Sequence, residues 1–216
     1  MRFGSLLVTL GVPLIAIMLN IWLIASRPFL RWEYSRPTFP AAEGFSAAER
    51  MQLAVPSTLF LVRPITRGEL EALRHDGRPL YERDEIDHLE DVRRLVGQLT
   101  WLGLMSVAWL LVGAYRWRRG LFPGWPGALV RGAGLTVGIV AVVGLAMGVA
   151  WPVVFTGFHE LFFKPGTWSF PIESGLIRLF PGQFWYDVAV LMAGLAAAEG
   201  LAAVALGRWL SRSRRA

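Results

Sequence analysis

Four long stretches of apolar residues set the plan of this chain. Phe3–Ser26, Leu95–Tyr115 and Gly132–Phe158 hold no ionisable side chain, and Val188–Gly207 holds only Glu199. About 20 residues at a helical rise of 1.5 Å cover a hydrocarbon core of roughly 30 Å. Each stretch therefore predicts a membrane-spanning helix, over 3–26, 95–115, 132–155 and 188–207. The first opens on Met1-Arg2 and ends on small residues, as a signal peptide does. Its apolar run exceeds the roughly 7–15 residues of such a peptide, so a retained anchor is expected.

The segments between the spans are polar and patterned. In 27–94, Ser46-x-x-Glu49 and Thr66-x-x-Glu69 are capping-box signatures, a hydroxyl placed over the free N–H groups of a helix start. Gly77 reads as a helix stop. From about Arg83 a helix is expected to run straight into the second span. The run Thr58–Val62 fits a strand or an interfacial segment, because five residues do not fix a period. In 156–187, Pro171 is placed to open a short helix over 172–180, making this connection a re-entrant lid. The fold class that follows is an all-α membrane protein: four transmembrane helices with a mainly helical cap over 27–94 and an aromatic-rich lid over 156–187.

Composition agrees, and the charges add direction. A hydrophobic fraction of 54% excludes intrinsic disorder. With no cysteine, the chain has no disulfide, thiolate metal site or Cys nucleophile. A net charge of +6 and a pI near 10.7 suggest nucleic acid until the arginines are placed. Nine of them (Arg2, the 116–131 loop and the 208–216 tail) fall on one side of a four-span arrangement with no acidic residue among them. By the positive-inside rule that side, with both termini, is cytoplasmic, and the cap and lid face outward. The long insert carries eleven Arg against twelve Asp and Glu. The excess charge is thus a topology signal, and no nucleic-acid partner is expected.

All three histidines lie in the outward segments. On a helix, Tyr81, Asp84 and Asp91 share the face of His88. A carboxylate beside an imidazole fixes its tautomer, as a general base requires; a solvated acidic helix start accounts for the same spacing. His159 stands among ten aromatics in 155–186, either an interfacial belt or a confined apolar pocket. His75, in a Gly-stopped loop, reads as a surface residue. Glu199 lies within a span, where a carboxylate is protonated or hydrogen-bonded inside the bundle. His159-Glu160-Leu161-Phe162-Phe163 lacks the second ligand of a zinc-peptidase motif, and no G-x-S-x-G elbow or phosphate loop occurs.

Two motifs carry a family resemblance: His88-x-x-Asp91-Val92 before the second span, and Phe158-His159-x-x-Phe162-Phe163 after the third. Trp168, Leu176–Pro181 and Phe184-Trp185 follow, and Gly44-Phe45-Ser46 and Tyr81-x-x-x-Glu85 precede. In motif order and span count the chain resembles the lipoprotein intramolecular transacylase (Lit) family. That resemblance implies an O-to-N acyltransferase of the bacterial cytoplasmic membrane. Its partners would be membrane lipid and a diacylated lipoprotein N-terminus, whose sn-2 acyl chain moves to the α-amine to leave a lyso-form. The resemblance implies His88 and His159 as catalytic and no cofactor. Asp91 and Tyr81 are then supporting residues, and Phe158, Phe162, Phe163, Trp168 and Trp185 the substrate pocket. Two other readings stay open on the residues alone: a non-catalytic lipid or lipoprotein sensor, and a bis-histidine haem or metal protein.

Overall fold

The computed structural model describes residues 2–41 and 44–212. The charges of Arg214 and Arg215 and the side chain of Arg2 lie outside what it describes. Four long helices carry the apolar stretches: α1 (Arg2–Ile24), α5 (Arg83–Arg118), α6 (Trp125–Phe162) and α8 (Gly182–Arg212). Between α1 and α5 come α2 (Arg27–Tyr34), α3 (Ala47–Phe60), α4 (Arg67–Glu71) and a two-stranded hairpin of β1 (Arg74–His75) and β2 (Arg78–Pro79); α7 (Gly175–Leu179) lies between α6 and α8. Leu145 and Val149 of α6, 72% and 81% exposed, show the surface that a hydrocarbon solvent, and not water, would accept. The long helices run past the uncharged stretches at their polar ends. In α5, Asp84 and Glu85 open the first turn and Arg116 and Arg118 close the last, the polarity that the helix dipole favours.

The chain forms two compact units. One is built from the chain up to Asn20, Gln98–Ala150 and the chain from Val190 onward. Its core joins Val8 to Phe122, Trp125, Ala128 and Leu129. Lipid tails are as apolar as leucine, so close packing rather than the hydrophobic effect holds such helices together. A Cβ on Gly132 would come within 2.6 Å of the Thr9 carbonyl oxygen, which makes glycine the residue that lets α1 and α6 touch. Glu199 meets a partner here: the buried Asn20 amide donates to its Oε2 at 3.4 Å.

The other unit is Ile21–Gly97 with Trp151–Ala189. Both expected capping boxes are formed, with Ser46 Oγ accepting from Glu49 N at 3.2 Å and Thr66 Oγ1 from Glu69 N at 3.3 Å. Thr58–Phe60 finish α3, so the ambiguous five-residue run is helix end and turn. The stop expected at Gly77 is instead a hairpin turn. Asp76 and Gly77 both have positive φ, 50° and 74°, the pair that a two-residue turn between twisted strands demands. The lid helix is shorter than 172–180. Ser174 caps it by accepting from Ile177 N at 3.3 Å, and Ile172 stays outside it, 75% exposed. Buried Arg50 ties the insert to the lid, donating to the Leu179 carbonyl at 3.1 Å while stacking on Tyr34 and Phe39.

Candidate active site

His88 sits in the second turn of α5, where the chain is still acidic and the uncharged span has not begun. His159 lies in the same unit, on the part of α6 that follows an interruption. Ala150 has φ −148° and ψ 57°, outside the helical region. Two residues on, Pro152 has no N–H for the Gly148 carbonyl and its ring crowds that carbonyl. Trp151–Phe162, which follows the interruption, carries His159.

The two imidazoles, 71 residues apart in sequence, stack with centroids 6.1 Å apart and planes at 27°. Around them stands an aromatic wall. Phe163 is 5.0 Å from His88 and 5.6 Å from His159, Phe170 is 5.6 Å from His88, and Trp168 is 4.9 Å from His159. Phe155 and Phe158 cover His159 from its own helix, at 4.2 and 5.3 Å.

Hydrogen bonding distinguishes the two rings. His159 Nδ1 lies 2.7 Å from the Phe155 carbonyl oxygen. A carbonyl only accepts, so Nδ1 carries the proton, and Nε2 of the neutral ring is left with a free lone pair. His88 is 7% exposed, and its buried Nδ1 has no protein partner. The indole Nε1–H of Trp168 is also buried and unmatched. Two polar groups thus stand unmatched in one aromatic chamber, an arrangement that costs stability unless a ligand meets them. Burial pushes the His88 imidazole down to about 4; the neighbouring His159 adds to this and Asp91 opposes it. Burial lowers His159 as well, against its bond to the Phe155 carbonyl. Both rings are therefore neutral at neutral pH.

The remaining sequence candidates fall in several places. Phe158, Phe163 and Trp168 reach the histidines; Phe162 packs on Phe158 at 5.0 Å and is 47% exposed. Trp185 belongs to a different aromatic group, 5.2 Å from Phe184, and its indole donates to the Phe180 carbonyl at 3.0 Å. Asp91 does not orient His88 through a hydrogen bond. Its Oδ1 accepts from Arg94 at 2.7 Å, and its effect on His88 is one of charge. The buried Tyr81 hydroxyl donates to Ser57 Oγ at 2.7 Å. His75 is not a free surface residue, since its ring lies 4.1 Å from Phe45 and its Nε2 3.5 Å from Arg178.

Glu85, the second residue of the Tyr81-x-x-x-Glu85 pattern, has a clear structural role. It is 2% exposed; Oε1 accepts from Leu176 N at 2.7 Å and Oε2 from Glu82 N at 2.8 Å. One turn before His88, it holds the start of α7. The approach is close: a Cβ on Gly175 would lie 2.0 Å from the Leu80 carbonyl oxygen. Burial raises its carboxyl, opposed by the two N–H donors. Its spacing from His88 was legible in the sequence, but its partner in the lid was not.

Comparison with known proteins gives four matches. The sequence model of the family described as "Lipoprotein intramolecular transacylase Lit" matches residues 6–185. An uncharacterized protein of Aquifex aeolicus is 28% identical over 200 residues, 91% of this chain and 89% of that one. Among solved structures, the membrane integral lipoprotein intramolecular transacylase Lit from Bacillus cereus superposes with a TM-score of 0.84 at 18% identity, over 99% of this chain and 97% of the other. A variant of that protein with a histidine replaced by alanine gives a TM-score of 0.74 at 16% identity, over 99% and 94%.

Proposed function

The chain belongs to the lipoprotein intramolecular transacylase (Lit) family, and from that premise we propose the reaction its histidine pair performs. The substrate is a lipoprotein whose N-terminal cysteine carries a diacylglyceryl thioether and a free α-amine. The amine nitrogen attacks the sn-2 ester carbonyl carbon, a C–N bond forms, and the C–O bond to the glyceryl oxygen breaks. The amine loses a proton and the glyceryl oxygen gains one, so the products are an N-acyl, lyso-form lipoprotein and nothing else. No cofactor takes part.

His159 is the base in this reading, because its Nε2 holds the available lone pair once Nδ1 is committed to the Phe155 carbonyl. An ordinary imidazole is a weaker base than an α-amine and burial weakens His159 further, so it takes the proton as C–N bond formation makes the amine more acidic. The protonated His159 then returns it to the leaving alkoxide. Neutral His88 and the Trp168 indole donate to the oxyanion that develops on the carbonyl. Amine and ester belong to one molecule, so a chamber that folds the glyceryl arm back supplies proximity. Phe155, Phe158, Phe163 and Phe170 form its apolar wall, while Phe162 and Trp185 serve the approach of the acyl chain. Tyr81 stiffens the floor through Ser57, and Asp91 contributes charge. The cap and lid face outward and both termini inward, as the arginine distribution supports.

The 6.1 Å stacking of His88 on His159 inside an aromatic chamber carries this reading. The test is mass spectrometry of the N-terminal peptide of a diacylated lipoprotein coexpressed with the chain. Acyl migration to the amine is expected, with loss in His88→Ala and His159→Ala and retention in His75→Ala. Correctly inserted protein that moves no acyl group refutes the assignment.

A further inference from the structure

Helix α2 follows α1 after only Ala25 and Ser26. It therefore lies within a few residues of the point where the chain leaves the first span. Ser26 caps it, accepting from Phe29 N at 3.4 Å. Its inner face buries Phe29, Leu30 and Glu33. Its outer face is different in kind: Arg27, Pro28, Arg31, Trp32 and Ser35 line an open groove of about 410 Å³ and all are exposed.

The charges on this face are not balanced by the protein. Glu33 points inward and pairs with Arg36 at 3.2 Å, and Arg36 also pairs with Asp187 at 2.9 Å. Among the described residues neither Arg27 nor Arg31 meets a carboxylate. Like charges four residues apart on a helix repel, and an arginine in the first turn opposes the helix dipole. Arg27 is unfavourable on both counts, while Arg31, in the last turn, is favoured by the dipole and opposed only by Arg27; an anion between them offsets their repulsion. Trp32, 51% exposed beside them, is the residue type that favours the headgroup level. Trp22, 41% exposed in the last turns of α1, repeats that signal ten residues earlier.

We infer that the Arg27–Arg31–Trp32 face of α2 binds the phosphate of an anionic phospholipid, the guanidinium groups clasping the headgroup and the indole resting at its glycerol level. Paired guanidinium groups suit phosphate through bidentate hydrogen bonds. The site is separate from the histidine chamber and does not depend on the transacylase reading. It depends only on the chain spanning a membrane, which fixes the bilayer as the source of the anion.

The test is native mass spectrometry of the full chain released from detergent in the presence of phosphatidylglycerol, phosphatidylcholine or inorganic phosphate. The wild type is expected to retain phosphatidylglycerol in preference to phosphatidylcholine, with inorganic phosphate unable to displace it. Arg27→Gln/Arg31→Gln should bind phosphatidylglycerol about 30-fold more weakly. Arg27→Lys/Arg31→Lys should bind more weakly than the wild type but more tightly than the Gln variant, keeping the charge without the bidentate geometry, which separates lost charge from lost folding. Added salt should weaken the wild-type complex and leave the Gln variant little changed. Equal retention of the two lipids by the wild type, or undiminished phosphatidylglycerol binding by the Gln variant, overturns the inference. Displacement by inorganic phosphate does so too.

Discussion

Acidification tests the electrostatics of the chamber most directly, because the protonation of His88 is set by its burial. Its imidazole is pushed from an ordinary 6.5 down to about 4, with burial the largest cause and His159 the next. That displacement corresponds to on the order of 3 kcal/mol disfavouring the imidazolium. At pH 6.5 an unperturbed histidine is half protonated; His88 should be so in only about three molecules per thousand. The sign for stability follows, since the unfolded chain binds the proton more readily. The contribution of His88 to folding is fully present above pH 6.5 and is lost as pH falls toward and through 4. With three histidines in the chain, ring carbon NMR on histidine-labelled protein in nanodiscs can follow each one, assigned through His75→Asn and His159→Asn. The His88 signal should stay flat from pH 8 to about 5. Over the same range His88 should impose no break on the transfer rate, whose pH dependence belongs to the substrate amine and to His159. A His88 midpoint at 6–7 would refute the claim that it works as a neutral donor.

Trp168→Phe keeps the ring beside His159 and removes the N–H. Turnover should fall roughly 100-fold with little change in KM, and an unchanged kcat would remove the indole from the oxyanion site. Glu85→Ala leaves the buried Leu176 N–H without its acceptor, so thermal unfolding followed by intrinsic fluorescence should occur roughly 5–10 °C lower, with Glu85→Gln intermediate. No shift would mean that α7 does not depend on this contact. Asp91→Asn should stay within about threefold of wild-type transfer, because the carboxylate is bonded to Arg94 and not to His88. A loss of 100-fold or more would restore it as an orienting residue.

The membrane class of the protein was written in the chain itself. Twenty uncharged apolar residues have one low-energy destination, and the helix that satisfies their backbone in lipid needs no information from elsewhere in the sequence. The capping boxes at Ser46 and Thr66 were legible for the same reason, since donor and acceptor lie within one turn. The helix stop assigned to Gly77 failed because glycine signals positive φ without saying which turn uses it. Only the antiparallel neighbour of Arg74–His75 made it a hairpin. The two histidines were visible as candidates, yet nothing local could say that rings 71 residues apart would stack. That was decided by packing within one unit, where Phe163 lies against both rings and Phe170 against His88. Asp91 shows the converse: helical spacing put it on the face of His88, and Arg94, equally close by spacing, took its carboxylate. Glu85 depended on an amide 91 residues away. Local chemistry and solvent preference are properties of sequence. Which buried polar group meets which partner depends on packing between distant segments, and only the tertiary fold could decide it.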